Sequence, residues 1–112
     1  YKRQCLRSID RPLIKLVVNK VVGCYVYVTV MNIGFTSLKE FVLPGGCAAA
    51  AAAHFSRAVC RRAERAILVL HSSEAVNVES IKFINRLSDL LFVVARTTAR
   101  LDDVGEILWR RT

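Results

Sequence analysis

Pro44-Gly45-Gly46 is followed by Cys47 and six consecutive alanines, Ala48 to Ala53. Proline and paired glycines break regular structure, whereas alanine is the best intrinsic helix former and loses no side-chain entropy in a helix. The junction predicts a turn or loop and then a helix from about Cys47 to Leu70. Its small residues also permit close approach by a neighbouring helix. His71-Ser72-Ser73 breaks the pattern, and Asn77 is a good N-cap for a second helix from Val78 to about Leu101. There Ile81, Ile84, Leu87, Leu91 and Val94 recur at helical spacing, while Phe83, Leu90 and Phe92 widen the apolar surface beyond one stripe. Two helices with a short connection form an antiparallel hairpin, which needs further helices or subunits to cover it.

Upstream of Thr36 the character changes. Tyr1 to Arg11 is polar and basic, and Pro12 opens a stretch, Leu13 to Phe35, rich in Val, Ile and Tyr. Val21 to Met31 reads as a strand, with Tyr25, Tyr27 and Thr29 alternating with Val26, Val28 and Val30. The uninterrupted part after Lys20 reaches only Phe35 and includes Asn32, short of the roughly 20 residues a spanning helix needs. No membrane partner is expected. The abrupt change is also what an assembly error or an untrimmed intron produces, so residues 1–36 are treated as an atypical, candidate non-native segment and residues 37–112 as the helical domain.

The 112 residues make one small domain, and 17 Lys and Arg against nine acidic residues leave a formal charge of +8. Such a charge favours an anionic partner (nucleic acid, nucleotide phosphate or an acidic membrane surface) without choosing among them. Cys5, Cys24, Cys47 and Cys60 form no Cys-x-x-Cys pair, and the only histidines are His54 and His71, which argues against a zinc or other metal site. With no signal peptide in view, reduced thiols are the default. The two histidines read as structural or exposed.

Arg57, Arg61 and Arg65 are spaced i, i+4, i+8, so their guanidinium groups project from one helix face. Glu64 lies nearly on that face, placed to hold Arg61 or to approach a magnesium ion through water. The row is either a solvated, salt-bridged face or an anion clamp, since planar guanidinium forks match phosphate oxygens. On the second helix Asn85, Ser88 and Asp89 share one side of an otherwise apolar surface. An unpartnered buried polar group costs about 1–3 kcal/mol, so these residues bridge helices or meet a ligand. Antiparallel packing would bring Asn85 near the arginine row.

Three strings now stand in order: Phe41-Val42-Leu43-Pro44-Gly45-Gly46, then His54 through Arg65 with Arg-Ala-Val-Cys-Arg-Arg-Ala-Glu-Arg, then Phe83 through Phe92 with Asn-Arg-Leu-Ser-Asp. Together they resemble the ATP:cob(I)alamin adenosyltransferases of the propanediol-utilisation type, from about Leu38 to the C-terminus. The resemblance implies an all-α fold, here the C-terminal helix hairpin of a five-helix bundle that assembles as a homotrimer. It implies transfer of the 5′-deoxyadenosyl group of ATP, with Mg2+, to cob(I)alamin, with release of triphosphate. It assigns Arg61, Arg62, Glu64, Arg65 and Asn85 to ATP. Arg57 becomes an intersubunit ion-pair residue on the cobalamin side, and Phe41 the lower wall of the corrin. Cobalt is itself the nucleophile, so no catalytic serine, cysteine or base is expected.

The family also begins with a Thr-Arg-Thr-Gly-Asp-x-Gly type phosphate loop, and residues 1–36 hold no such loop, Gly23 and Gly34 being isolated. In a homotrimer every neighbour lacks it too, so the expectation is that this chain alone turns over poorly or not at all. The implied compartment is bacterial cytoplasm or the mitochondrion. The alternative from another class is a basic helical module binding nucleic acid or another polyanion through Arg57, Arg61 and Arg65, with affinity falling steeply with salt. Against it, no aromatic residues interleave the arginines to stack bases.

Overall fold

The computed structural model describes residues 19, 20, 22–35, 38 and 40–110. Tyr1 to Arg11, Cys5 included, lies outside them. Among the described residues there are three helices: α1 over residues 19, 20 and 22–32, α2 over Ala48–Ser73 and α3 over Val78–Leu101. The one β pairing among the described residues is an isolated antiparallel bridge between Val42 and Leu108. The all-α expectation holds.

The strand expected over Val21–Met31 is instead helical over residues 22–32. A strand must pair its N–H and C=O groups with another chain segment, and among the described residues no such partner exists. A helix satisfies them internally, and Thr29 Oγ1 also donates to the Tyr25 carbonyl at 2.9 Å. The alternating Val and Tyr side chains remain largely exposed. No helix among the described residues is long and apolar enough to cross a membrane.

Helix α3 begins and ends where its local chemistry dictates. Asn77 Oδ1 accepts from the Glu79 N–H at 2.9 Å as N-cap. At the other end Asp103 takes a left-handed φ of 56°, and the Asp103 and Val104 N–H groups donate to the Arg100 and Ala99 carbonyls. That is a Schellman arrangement, with aspartate where glycine is commoner. Helix α2 starts at Cys47, whose Sγ accepts from the Ala50 N–H at 3.3 Å. Gly46 just before it has a φ of 97°, and a Cβ there would lie 3.4 Å from the Ala99 Cβ, so glycine serves both the turn and the close approach of α3.

The break expected at His71-Ser72-Ser73 does not occur, and α2 runs through Ser73. The Ser72 and Ser73 hydroxyls donate back to the Val69 and Leu70 carbonyls, and the Glu74 N–H also donates to Leu70, so the last turn closes on its own side chains and backbone. The polar residues thus finish the helix instead of interrupting it.

Helices α2 and α3 pack as an antiparallel hairpin. Cross-helix partners run in opposite order: Arg57 and His54 meet Phe92, while Cys60 and Glu64 meet Ile84 and Asn85. The buried seam is small and mixed, with Ala50, Val93, Ala95 and Ala99 alongside His54, Glu64, Ser88 and Arg96. A seam with as many polar as apolar buried residues is unusual for a hydrophobic core and points to function. The outer face of α2 carries exposed Phe55, Val59 and Val69, in keeping with a hairpin that lacks cover.

Candidate functional site

Two clusters lie along the hairpin. In the first, Glu64 is buried at 7% exposure and sits between the two helices. Its Oε2 accepts from Arg61 Nη1, one turn earlier on α2, and its Oε1 accepts from Asn85 Nδ2 of α3 at 2.9 Å. The amide continues the relay: Asn85 Oδ1 accepts from Arg86 Nη2 at 3.1 Å, and Arg86 pairs with Asp89 at 3.3 Å. Antiparallel packing therefore joins Arg61 to Asn85, through the carboxylate both bind. Ser88 is almost fully buried and turns inward, donating to the Asn85 carbonyl at 2.8 Å.

Arg62 and Arg65 are exposed, free to meet an anion arriving at this face. Cys60 lies beside the relay, its thiol donating to the Ile84 carbonyl at 3.3 Å. Burial pushes the Cys60 thiol above its ordinary pKa, the Glu64 carboxylate adds to the rise, and Arg61 opposes it. These surroundings favour the neutral thiol over the thiolate. Cys24 and Cys47 are likewise free thiols.

The second cluster is an open cleft of about 410 Å³ lined by Leu38, Glu40, Phe41, Val42, Arg57 and Phe92. Phe41 is 81% exposed, an aromatic ring offered to solvent beside a cation. The Arg57 guanidinium carbon stands 4.9 Å from the centre of the Phe92 ring, and its Nε is buried without a hydrogen-bond partner. His54 meets the same ring edge-on at 6.2 Å. Burial lowers the His54 pKa from 6.5, Arg57 lowers it further and Glu106 opposes, so the site favours the neutral imidazole. His54 is buried in the seam between the helices; His71 is exposed, with Nδ1 accepting from the Val76 N–H at 3.3 Å.

Sequence reasoning missed a column of alternating rings and cations that continues from this cleft. Arg96 stands 5.9 Å from the Phe92 ring centre and 4.2 Å from that of Phe35, and Arg100 stands 5.5 Å from Phe35 on its way to a bond with the Gly34 carbonyl. Glu106 pairs with Arg96. Spacing carries the signal for Arg96, which shares a helix face with Ser88, Phe92 and Ala99 and so puts a cation on the buried side of α3. Among the described residues no three His, Cys, Asp or Glu converge on a metal-sized space.

The family model for cobalamin adenosyltransferase matches residues 10–98. The chain is 50% identical over 80 residues to a cobalamin adenosyltransferase of Cupriavidus metallidurans, covering 71% of this chain and 44% of that protein. It is 48% identical over 74 residues to the corrinoid adenosyltransferase MMAB of Homo sapiens, covering 66% of this chain and 30% of that one. Among solved structures it is similar to a phenylalanine-to-alanine variant of a PduO-type ATP:corrinoid adenosyltransferase from Lactobacillus reuteri, complexed with cobalamin and ATP. The TM-score is 0.77 at 35% identity, over 81% of this chain and 50% of that one. An arginine-to-lysine variant from the same organism, complexed with ATP, matches at the same TM-score and identity, over 82% of this chain and 53% of that one. The chain thus spans half or less of the length of most of these relatives. On this evidence the chain belongs to the cobalamin adenosyltransferase family.

Proposed function

We propose that this chain is the nucleotide-gripping, C-terminal portion of a corrinoid adenosyltransferase, which transfers the 5′-deoxyadenosyl group of ATP to cob(I)alamin and releases triphosphate. The observation that carries the reading is the Arg61–Glu64–Asn85 bridge across the hairpin, with the Phe41–Arg57–Phe92 cleft on the same helix pair. One cluster has guanidinium groups for phosphates and the other an apolar wall with a cation.

In the transfer a Co–C5′ bond forms as the C5′–O5′ bond breaks, and negative charge grows on the departing triphosphate. Arg61, Arg62 and Arg65 are suited to hold that charge, because guanidinium forks stay ionised and fixed dipoles cost no reorganisation as charge develops. Glu64 and Asn85 belong to the ATP site by aiming Arg61. Phe41 and Arg57 are assigned to the cobalamin side. An apolar ring at the lower face would displace the axial base and keep water from taking its place. That leaves four-coordinate cobalt(II), which is easier to reduce because loss of the fifth ligand lowers the acceptor orbital. Alignment of the two substrates supplies the rest.

Glu64 is the only carboxylate in this set, and both its oxygens are engaged. Among the described residues of this set Glu64 is thus committed to Arg61 and Asn85, and Mg2+ would arrive with the nucleotide. Arg57 pairs with no carboxylate among the described residues, which supports an ion pair across a subunit boundary in a homotrimer. The helical domain is taken as residues 37–112, and the family match from residue 10 adds the segment whose Gly34 and Phe35 contact α3. Relatives from bacteria and mammals fit a bacterial cytoplasmic or mitochondrial setting. The polyanion reading loses support because Arg57 is turned onto Phe92 and Arg61 onto Glu64, leaving no continuous basic rail.

Calorimetric titration of the chain with Mg·ATP tests the proposal. Arg61→Ala should weaken binding about 10- to 100-fold, from about 1.5–3 kcal/mol for a charge-assisted bond. Unchanged affinity for ATP, with salt-steep binding to random DNA, would replace this reading with the polyanion one. The chain alone should form adenosylcobalamin poorly; a normal enzymatic rate would overturn that expectation.

A further inference from the structure

The loop that carries Phe41 is fastened from outside. Its carbonyl accepts from the Trp109 N–H at 2.8 Å, and the Leu43 N–H donates to the Ile107 carbonyl at 2.8 Å, one bond on each side of the Val42–Leu108 bridge. Two backbone bonds between short segments hold little by themselves. The question becomes what seats residues 107–109.

Glu106, the residue before Ile107, reaches back to α3, where Arg96 Nε donates to its Oε1 and Arg96 Nη2 to its Oε2 at 3.3 Å. Arg96 is 5% exposed, with its guanidinium against the Phe35 ring. A buried guanidinium cannot shed its charge and requires an anionic partner, and Glu106 is the one carboxylate paired with it among the described residues. The burial of Arg96 therefore fixes Glu106, and the next carbonyl along the chain holds the Phe41 loop.

We propose that the Arg96–Glu106 pair is a latch that positions Phe41: it seats the segment after α3, and that segment's two backbone bonds set the Phe41 ring at its cleft beside Arg57 and Phe92. Neither latch residue lines that cleft, so both are positioning residues. The proposal rests on the corrinoid reading only for what Phe41 does, since its position is a matter of the latch alone. A reacting group displaced by about 1 Å loses on the order of a hundredfold in rate, so the placement of this ring matters.

The test uses Glu106→Gln in the full 112-residue chain, which removes the charge and keeps the shape. Amide hydrogen exchange at Leu43 and Trp109 should accelerate at least tenfold, with α2 and α3 unchanged. Trp109, the single tryptophan, should become more accessible to acrylamide. Glu106→Asp, which restores the charge, should recover part of both. Unchanged protection at Leu43 and Trp109, or equal loss of protection throughout α2 and α3, would overturn the latch. Titration with cob(II)alamin separates the two readings: Phe41→Ala tests the corrinoid role, and Glu106→Gln should weaken the same binding while leaving Mg·ATP affinity intact. If Phe41→Ala weakens cob(II)alamin binding and Glu106→Gln does not, the latch fails alone. If Phe41→Ala has no effect, the corrinoid role fails and the exchange data decide the latch.

Discussion

Asn85→Ala removes the only side-chain amide that ties α3 to the buried carboxylate of α2. A bond from a neutral donor to an ionised acceptor contributes about 1.5–3 kcal/mol. The Glu64 side chain is only 9% exposed, so water is a poor replacement, but Arg61 still partners its other oxygen and keeps the charge compensated. The lower half of that range follows. The bond from Arg86 adds a few tenths, because Arg86 is half-exposed and retains Asp89. The expected loss is about 2 kcal/mol. With a urea slope of about 1–3 kcal/mol per molar for a small domain, the unfolding midpoint should fall by about 1 M. Urea titrations of Asn85→Ala, Glu64→Ala and the double variant, followed by circular dichroism, close a double-mutant cycle with an expected coupling of about 1–2 kcal/mol. A loss below about 0.5 kcal/mol, or strict additivity, would mean that the amide and carboxylate do not act together, and the argument that Asn85 serves ATP by aiming Arg61 through Glu64 would fall with it.

Two further measurements probe other parts of the hairpin. His54 has its folded pKa lowered from 6.5, so the unfolded chain binds its proton first; the stabilising neutral form is fully present above about pH 6.5 and is lost as pH falls. Urea midpoints should therefore drop more between pH 7.5 and 5.5 in the parent chain than in His54→Gln, and parallel pH profiles would refute the assignment. Asn77→Ala removes the N-cap bond to Glu79 and should cost about 1 kcal/mol in the same assay, whereas an unchanged midpoint would mean that the first turn of α3 is held by packing instead.

Helix α3 is legible to its ends because its start is written locally: Asn77 caps two residues ahead, and the apolar spacing that follows has one period. Arg61 and Glu64 are legible for the same reason, being neighbours on one turn. The end of α2 misleads because serine both breaks helices and completes their last turn, and the outcome depends on whether its hydroxyl reaches back to a carbonyl. The segment 22–32 misleads more deeply. Alternating Val and Tyr describe a strand only if a second strand is available, and availability is a property of the whole molecule.

The strings around Phe41, Arg57 to Arg65 and Asn85 point to the family from sequence alone, because they state residue types at fixed short spacings. Tertiary structure alone decides that Glu64 is shared by Arg61 and Asn85, that Arg57 lies on Phe92, and that Glu106 closes on Arg96. Each of those contacts joins residues whose proximity is set by the register of one helix against another or by the path of the chain after α3. Burial then sets the requirement: a charge removed from water must find its partner, and only the packed molecule determines which charges are removed.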